Sequence, residues 1–427
     1  MKSILKLIGM LISIILPSRI SHAILHRCKK TRNIMMSTPA LRIFWNVVLF
    51  IPVLVCDLVV AVVKTVVSWI LPQNLYGSIR FIIKQMKRDV TELGFSFPMS
   101  CKRAKLLWAL FTEGSEKHVS YGDKNPDITF YVIRPYFFLE PNAYIFQNIP
   151  NLLTQYYYNL QKLSYAVEKG YTPVVDWQNY GRMPHSEDEP VHGTTNAWEY
   201  YWDQPSKYTL EEVYQSKNVI LSTQNIGQFG YIPNCSMSPP FAQYAKRLAE
   251  QCPKYASMFS FNKETQAYID NAYDHLLKGK ERVLGVIVRG SSYGMTGTVY
   301  KSHPKQLSIN ELIKCVYKYL QEWDLEYIFF TNETQELIDI MKQEFKEKLV
   351  YLPRLRDSVD RLKNSDAKNP MYAPGQKYQT NLDYITEIAL LARCNSLLGS
   401  MSSGMRTAII LNAGAYENMM VVDKGTW

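Results

Sequence analysis

Apolar runs and helical stripes alternate through the last third of the chain. Val283, Leu284, Val286, Ile287 and Val288 follow one another almost without a polar break. A strand covered by helices on both faces needs such a run rather than an apolar–polar alternation. The run therefore predicts a buried strand over 282–288. Leu312, Ile313, Val316, Tyr317 and Leu320 then recur at helical spacing inside 308–323. Short strands are predicted at 327–330 and 348–352, closing a β-α-β-α-β pattern. Further on, Ile385, Ile388, Ala389 and Ala392 mark one face of a helix over 384–394, and 396–399 reads as a strand. Ser400-Met401-Ser402-Ser403-Gly404 opens the next helix.

The preceding stretch repeats the alternation. A strand over 128–133 leads into an Asn/Pro-containing loop at 141–151. A helix over 152–169 follows, stopped by Gly170 as a C-terminal cap. The next strand, 171–176, carries Asp176 at its carboxyl end. Helices are predicted at 241–251 and 262–278, separated by the Cys252-Pro253 break. The segment 357–379, rich in charge, Asn, Pro and Gly, reads as a long cleft-side loop. No internal repeat is found. With 427 residues, the chain exceeds one ordinary domain. The predicted organisation is a helical region at 1–95, an N-terminal lobe at 120–250 and a C-terminal lobe at 260–427. The fold class is α/β, with two Rossmann-like lobes facing a cleft.

In open α/β sheets, ligands bind outside the carboxyl ends of the strands. Arg289 stands there after the first strand of the C-terminal lobe, Thr331 after the second and Ser400 to Ser403 after the fourth. A guanidinium fork can grip a phosphate through two hydrogen bonds. Hydroxyl residues at a helix N-terminus add free N–H groups and the favourable end of the macrodipole. Each residue also has a plain structural explanation. Arg289 can snorkel to solvent, and Thr331 and the serines can be N-caps. Together they predict a nucleotide-phosphate pocket built without a Walker loop.

The motifs Val286 to Tyr293, His303-Pro304, Phe330-Thr331-Asn332-Glu333 and Leu398 to Ser403 resemble those of the fucosyltransferase superfamily. The resemblance covers the last third of the chain, and more loosely about 127–220. It implies a GT-B fold, no metal cofactor, and inverting transfer of fucose from GDP-fucose. It implies Arg289 as the phosphate clamp and Ser402 and Ser403 as late donor-binding residues. Gly290, Ser291, His303, Thr331 and Ser400 complete the expected donor set, with Asp383 as its acid. Two departures stand out. Arg289-Gly290-Ser291-Ser292 replaces the family's Arg-Gly-Thr-Asp or Arg-Arg-x-Asp, so no acid follows the arginine. The family's Gly-Gly-x-Gly-Asn-Gln loop is replaced by Gln147-Asn148-Ile149-Pro150-Asn151-Leu152-Leu153-Thr154-Gln155. Asn148, Asn151 and Gln155 become candidates for donor or acceptor contacts, or simply turn formers.

The densest aromatic and acidic patch is 194–205, with Asn196, Trp198, Glu199, Tyr200, Tyr201, Trp202 and Asp203. Aromatic faces beside amides and carboxylates suit a sugar acceptor. Asn196, Trp198 and Asp203 are the expected acceptor-binding residues, and the bland alternative is a core cluster. Inverting transfer also needs a base for the acceptor hydroxyl. Glu199 is the first candidate and Asp176 the second.

Charge separates the chain's beginning from its body. Residues 1–90 hold 13 of the 48 Lys/Arg but only Asp57 and Asp89 among 38 acids, a net +11 against −1 for the remainder. The basic charge lies among apolar residues, which predicts an anionic membrane surface rather than nucleic acid as partner. The apolar stretch 43–71 is long enough to span a bilayer but contains Asp57 and Lys64. Lys/Arg flank it on both sides, leaving monotopic association with a cytoplasmic membrane face, a single span and a soluble cap as readings. The acceptor is then expected to be a glycan or lipid-linked glycan. Seven cysteines without a Cys-x-x-Cys pair favour a reducing compartment. His185, His192 and His303 lack metal-ligand spacing, so no metal and no resident cofactor is expected. The alternatives carried forward are a GT-B transferase for another nucleotide sugar and a non-catalytic, membrane-tethered glycan-binding protein.

Overall fold

The computed structural model describes residues 116–135, 151–180, 185–223, 240–289, 304–359 and 373–426. The helical region at 1–95, the loop at 141–150 and the expected donor residues Gly290, Ser291 and His303 lie outside them. The chain divides into two compact units. One comprises Met1–Lys117, Tyr136–Pro150 and Ser222–Gln228, nearly all of it outside the described residues. The other, His118–Pro135, Asn151–Leu221 and Phe229–Trp427, holds both sheets apart from the first residue of β1.

The first sheet is built from β1 (Lys117–Val119), β2 (Lys124–Ile133), β3 (Thr172–Val175) and β4 (Ser216–Leu221), in the order β1-β4-β2-β3. β2 runs parallel to both β3 and β4, with Val132 opposite Val174 and Leu221. Phe130 to Ile133 are all fully buried because the two faces of β2 meet different cores. Phe130 and Val132 join Val174, Val213, Val219 and Leu221 on one face. On the other, the Tyr131 ring stacks on Tyr171 and tilts against Tyr165 of α1 (Leu152–Glu168). Helix α1 begins where Asn151 Oδ1 accepts from Thr154 N at 2.9 Å. It ends before Gly170, whose φ of +72° is the left-handed conformation that stops a helix cheaply at glycine. Before β4, the single turn α2 (Leu210–Val213) is closed by a Thr209/Glu212 capping box.

Three helices connect the sheets: α3 (Phe241–Gln251), α4 (Pro253–Ala256) and α5 (Lys263–Leu276). The expected break at Cys252-Pro253 is a change of helix, since proline is tolerated in a first turn where its missing N–H has no partner to lose.

The second sheet contains β5 (Val283–Ile287), β6 (Tyr327–Thr331), β7 (Leu349–Val350), β8 (Ser396–Ser400) and β9 (Asn418–Val422). Its order is β7-β6-β5-β8-β9, and all four neighbouring pairs run parallel. From β5 the chain winds outward through β6 to β7, then returns to pair β8 on the other side of β5. That reversal places a topological switch point between β5 and β8, where an open α/β sheet splays its loops apart. The connecting helices are α6 (Ile309–Glu322), opened by a Ser308/Glu311 capping box, α7 (Gln335–Phe345), α8 (Lys377–Leu391) and α9 (Ser403–Leu411). Leu284, Val286, Ile328, Phe330 and Leu398 meet Val316, Ile338 and Met341 in one core.

Two glycines set the geometry at the switch. A Cβ on Gly399 would lie 2.2 Å from the Ile287 carbonyl oxygen, and one on Gly404 2.8 Å from Ile287 Cδ1. Their missing side chains let β8 and the start of α9 close onto the end of β5.

The predicted helix over 384–394 begins seven residues early, at Lys377. Its first turns bury Thr380, Asn381 and Asp383, so no apolar stripe announces them. Glu187 caps that end, accepting from Gly375 N at 2.9 Å and Tyr378 N at 2.7 Å. Lys377 Nζ donates to the Ser186 carbonyl, and the His192 ring hydrogen-bonds Tyr378 Oη. Among the described residues, no helix is long and apolar enough to cross a membrane.

Candidate functional site

A cleft of about 150 Å³ opens at the switch point. Ile287, Val288 and Arg289 line it from the end of β5, Thr331 to Glu333 from the end of β6, and Ser402 and Ser403 from the start of α9. Thr380, Asn381 and Tyr384 of α8, Arg354 after β7 and Asn151 before α1 complete the wall. Three of the strand ends singled out in the sequence thus converge.

Ser402 is the N-cap of α9, its Oγ accepting from Met405 N at 3.1 Å. The backbone N–H groups of Ser403 and Gly404 follow it at a helix end that has no acid in its first turn. Ser403 Oγ accepts from Asn151 Nδ2 at 3.3 Å and also bonds the Tyr384 hydroxyl. Burial pushes that hydroxyl up to about 12, against the opposing pull of the Arg289 charge. The Arg289 backbone N–H donates to Gln306 Oε1 at 3.3 Å.

Behind the wall lies a charge cluster that no periodicity predicts. Glu387 of α8 is fully buried; Oε2 accepts from Thr331 Oγ1 at 2.6 Å and from Arg354 Nη2 at 2.9 Å. Its Oε1 accepts from Arg356 Nη2 at 2.5 Å. The Thr331 hydroxyl is therefore engaged by Glu387, and the N-cap of α7 is Thr334 instead. Burial alone would lower the Arg354 pKa, but the charge and hydrogen bond of Glu387 hold it above the ordinary arginine value. For Arg356 burial wins, and its pKa falls.

Asp383, the expected donor acid, sits one turn earlier on α8 and does not line the cleft. It accepts from Tyr268 Oη of α5 at 2.8 Å and from Gln379 Nε2 at 2.7 Å, and burial raises its pKa. Ser400 ends β8 buried and does not line the cleft either.

The residues expected to hold an acceptor form a different assembly. Trp198 has no exposed surface; it stacks on Trp202 at 4.4 Å and meets Phe259 at 4.5 Å, so its rings belong to a core. Asn196 accepts from Trp177 N and donates to the Val175 carbonyl, fixing the turn after β3. Glu199 accepts from Thr194 Oγ1, Asn196 Nδ2 and Gln204 Nε2. Asp176 is fully buried, accepting from Gln178 N, Asn179 N, Asn179 Nδ2 and Tyr214 Oη. Both candidate bases are thus engaged as hydrogen-bond acceptors within the protein. Asp203 is largely exposed, its backbone N–H bonded to the Ser260 carbonyl, and partial desolvation with the nearby Glu264 charge raises its pKa. Gln155 of α1 is buried and does not line the cleft.

Lys162, also on α1, is buried and donates to the Arg134 carbonyl. Burial, reinforced by the Arg134 charge, drives its pKa well below 10.5. Between that lowered value and 10.5 the unfolded chain binds the extra proton, so stability rises with pH across the window. Lys162→Met is expected to flatten the rise in unfolding free energy over the alkaline range below pH 10.5. Chemical denaturation across that range would show an unchanged slope if the amine were charged in the fold.

Among the described residues, no group of three or more His, Cys, Asp or Glu side chains could hold a metal ion. No family model matches the chain, and no curated protein matches it. The chain is similar in structure to solved fucosyltransferases. The NodZ fucosyltransferase from Bradyrhizobium shares 14% identity over 66% of this chain and 92% of that one, at a TM-score of 0.34. Arabidopsis thaliana FUT1, solved as a mutant with GDP, shares 13% over 82% and 79%, at 0.36. POFUT1 with GDP-fucose shares 9% over 70% and 99%, also at 0.36. Likenesses this distant leave function to be argued from the cleft itself.

Proposed function

We propose that this protein is a glycosyltransferase of GT-B architecture whose cleft takes a nucleotide-sugar donor, GDP-fucose or a similar deoxy-sugar nucleotide. One observation carries the reading: Arg289 and the N-terminus of α9 share one cleft at the β5/β8 switch point. A diphosphate leaving a sugar gains charge at the transition state, and fixed positive groups there are worth more than they are against the bound substrate. Arg289 supplies the guanidinium fork, while the Ser403 and Gly404 amides supply backbone donors. Ser402 holds the first turn of α9 so that those amides keep their direction.

In this proposal transfer is inverting, the acceptor is a glycan or lipid-linked glycan, and the basic prefix brings the enzyme to an anionic, cytoplasmic membrane face. The charge of 1–90 supports that location, and no nucleic-acid role is assigned. A second reading, a glycan-binding protein without turnover, is favoured by one observation. Asp176 and Glu199 spend their carboxylate oxygens on neighbouring turns and, for Asp176, on the Tyr214 hydroxyl.

Titration of the full chain with GDP, UDP and ADP and their sugar conjugates, with and without divalent cation, tests the proposal. GDP preference with slow hydrolysis of the bound sugar nucleotide is the expected result. Preference for another base rejects the donor and keeps the chemistry. Binding without any hydrolysis or transfer favours the second reading, and a folded protein that binds none of them sinks both the donor and the enzyme.

A further inference from the structure

We infer that Arg354 is a second anion-gripping cation of the cleft, acting with Arg289 on a diphosphate, and that Glu387 holds it in position. The inference rests on the proposed donor site and adds to it a residue from a different loop. Arg354 follows β7, lines the cleft, and has a side chain only 5% exposed. Its Nη1 donates to the Leu355 carbonyl at 3.1 Å, and its Nη2 to Glu387 and to the Asn332 carbonyl. Its Nε is buried without a hydrogen-bond partner, as is that of Arg356, and only Arg354 of the two lines the cleft. A guanidinium has five N–H donors, and a buried one left unmade is costly unless something else accepts it.

Charge points the same way. Glu387 is a single carboxylate facing two guanidiniums, Arg354 and Arg356. Arg356 is turned to the Leu352 carbonyl and the Tyr351 ring and does not line the cleft. Arg354 is therefore the member of the trio through which the surplus positive charge meets a ligand. Asp383 adds a negative charge farther off, but its carboxyl is bonded to Tyr268 and Gln379, and burial favours its protonated form. Glu333 shares the cleft wall, where a carboxylate suits a ligand hydroxyl rather than a phosphate. The cleft thus offers cations from the ends of two strands on either side of β6. A diphosphate, with charge spread over two phosphoryl groups, fits two separated cations better than a monophosphate does.

Arg354→Gln and Arg354→Lys in the full chain test this, with inorganic pyrophosphate, GDP, GMP and guanosine as probes and thermal unfolding as the folding control. The expected result for Arg354→Gln is a loss of about tenfold or more in pyrophosphate and GDP affinity, the worth of one charge-assisted hydrogen bond. GMP should lose less and guanosine nothing. Arg354→Lys keeps the charge without the fork and should fall between, and it carries the test if the glutamine variant does not fold. Unchanged pyrophosphate and GDP affinities in a folded variant overturn the inference. Arg354-dependent pyrophosphate binding by a protein that ignores every nucleotide sugar leaves the anion site standing and removes the donor reading. A wild-type chain that binds neither overturns both.

Discussion

Glu387→Gln is expected to lower the unfolding free energy by on the order of 3–5 kcal/mol, the usual result of removing one member of a buried ion cluster. The carboxylate is fully buried and accepts from Thr331, Arg354 and Arg356. Glutamine has nearly the same shape but keeps one acceptor oxygen and turns an NH₂ group toward a guanidinium. Two buried cations then face no anion. A domain stable by about 5–15 kcal/mol would lose a large share of its margin. Thr331→Val removes one hydroxyl donor to the carboxylate and should cost less, about 1.5–3 kcal/mol. Denaturant unfolding of both variants separates a charge effect from a packing effect. Replacing Glu387, Arg354 and Arg356 together with apolar residues of similar volume should restore much of the loss, since a missing cluster costs less than a broken one. A glutamine variant within about 1 kcal/mol of wild type would mean that water or another group already compensates the arginines.

Arg289→Ala is expected to weaken nucleoside diphosphate binding by roughly 10- to 150-fold, the range for hydrogen bonds to a charged group. Its neighbours in the cleft keep bonds that do not involve it, Ser402 with Met405, Thr331 with Glu387 and Ser403 with Asn151, so that part of the cleft wall should persist in the variant. Affinity for a phosphate-free nucleoside should not move. If sugar transfer is detected, kcat should fall along with affinity, since charge on the leaving diphosphate grows at the transition state. Isothermal titration with GDP against guanosine decides the first part. An equal loss for both ligands would show that the substitution deforms the cleft rather than removing a phosphate contact.

These two residues differ in how plainly the chain announces them. Arg289 ends an apolar run, so the strand and its carboxyl-end position can be read without the structure. Ser402 and Ser403 likewise follow the short strand at 396–399 and open an apolar helix. Arg354 follows an edge strand of only two residues, Leu349–Val350, too short for any period to show. Glu387 interrupts the apolar stripe of α8 and reads as a solvent-facing position on that helix. Its partners stand 31, 33 and 56 residues away, brought to it only when α8 packs over the ends of β6 and β7. Asp383 stands near the position where the resembled family motif carries an acid, yet its place on α8 turns it toward Tyr268 of α5. The aromatic patch at 194–205 reads equally well as a sugar platform or a core. Burial of Trp198, Tyr201 and Trp202 decides for the core.

The cap on α8 has a consequence for modularity. The helix that supplies Thr380, Asn381, Tyr384 and Glu387 begins against Glu187, Ser186 and His192, residues of the earlier half of the chain. Tyr378 at that end also stacks on Tyr201. The second sheet is therefore not a cassette that could be cut at 260 and grafted elsewhere, because its cleft wall is finished by a strap encoded some 190 residues upstream. Recombination between relatives would have to exchange strap and helix together, which ties the evolution of the two halves to each other.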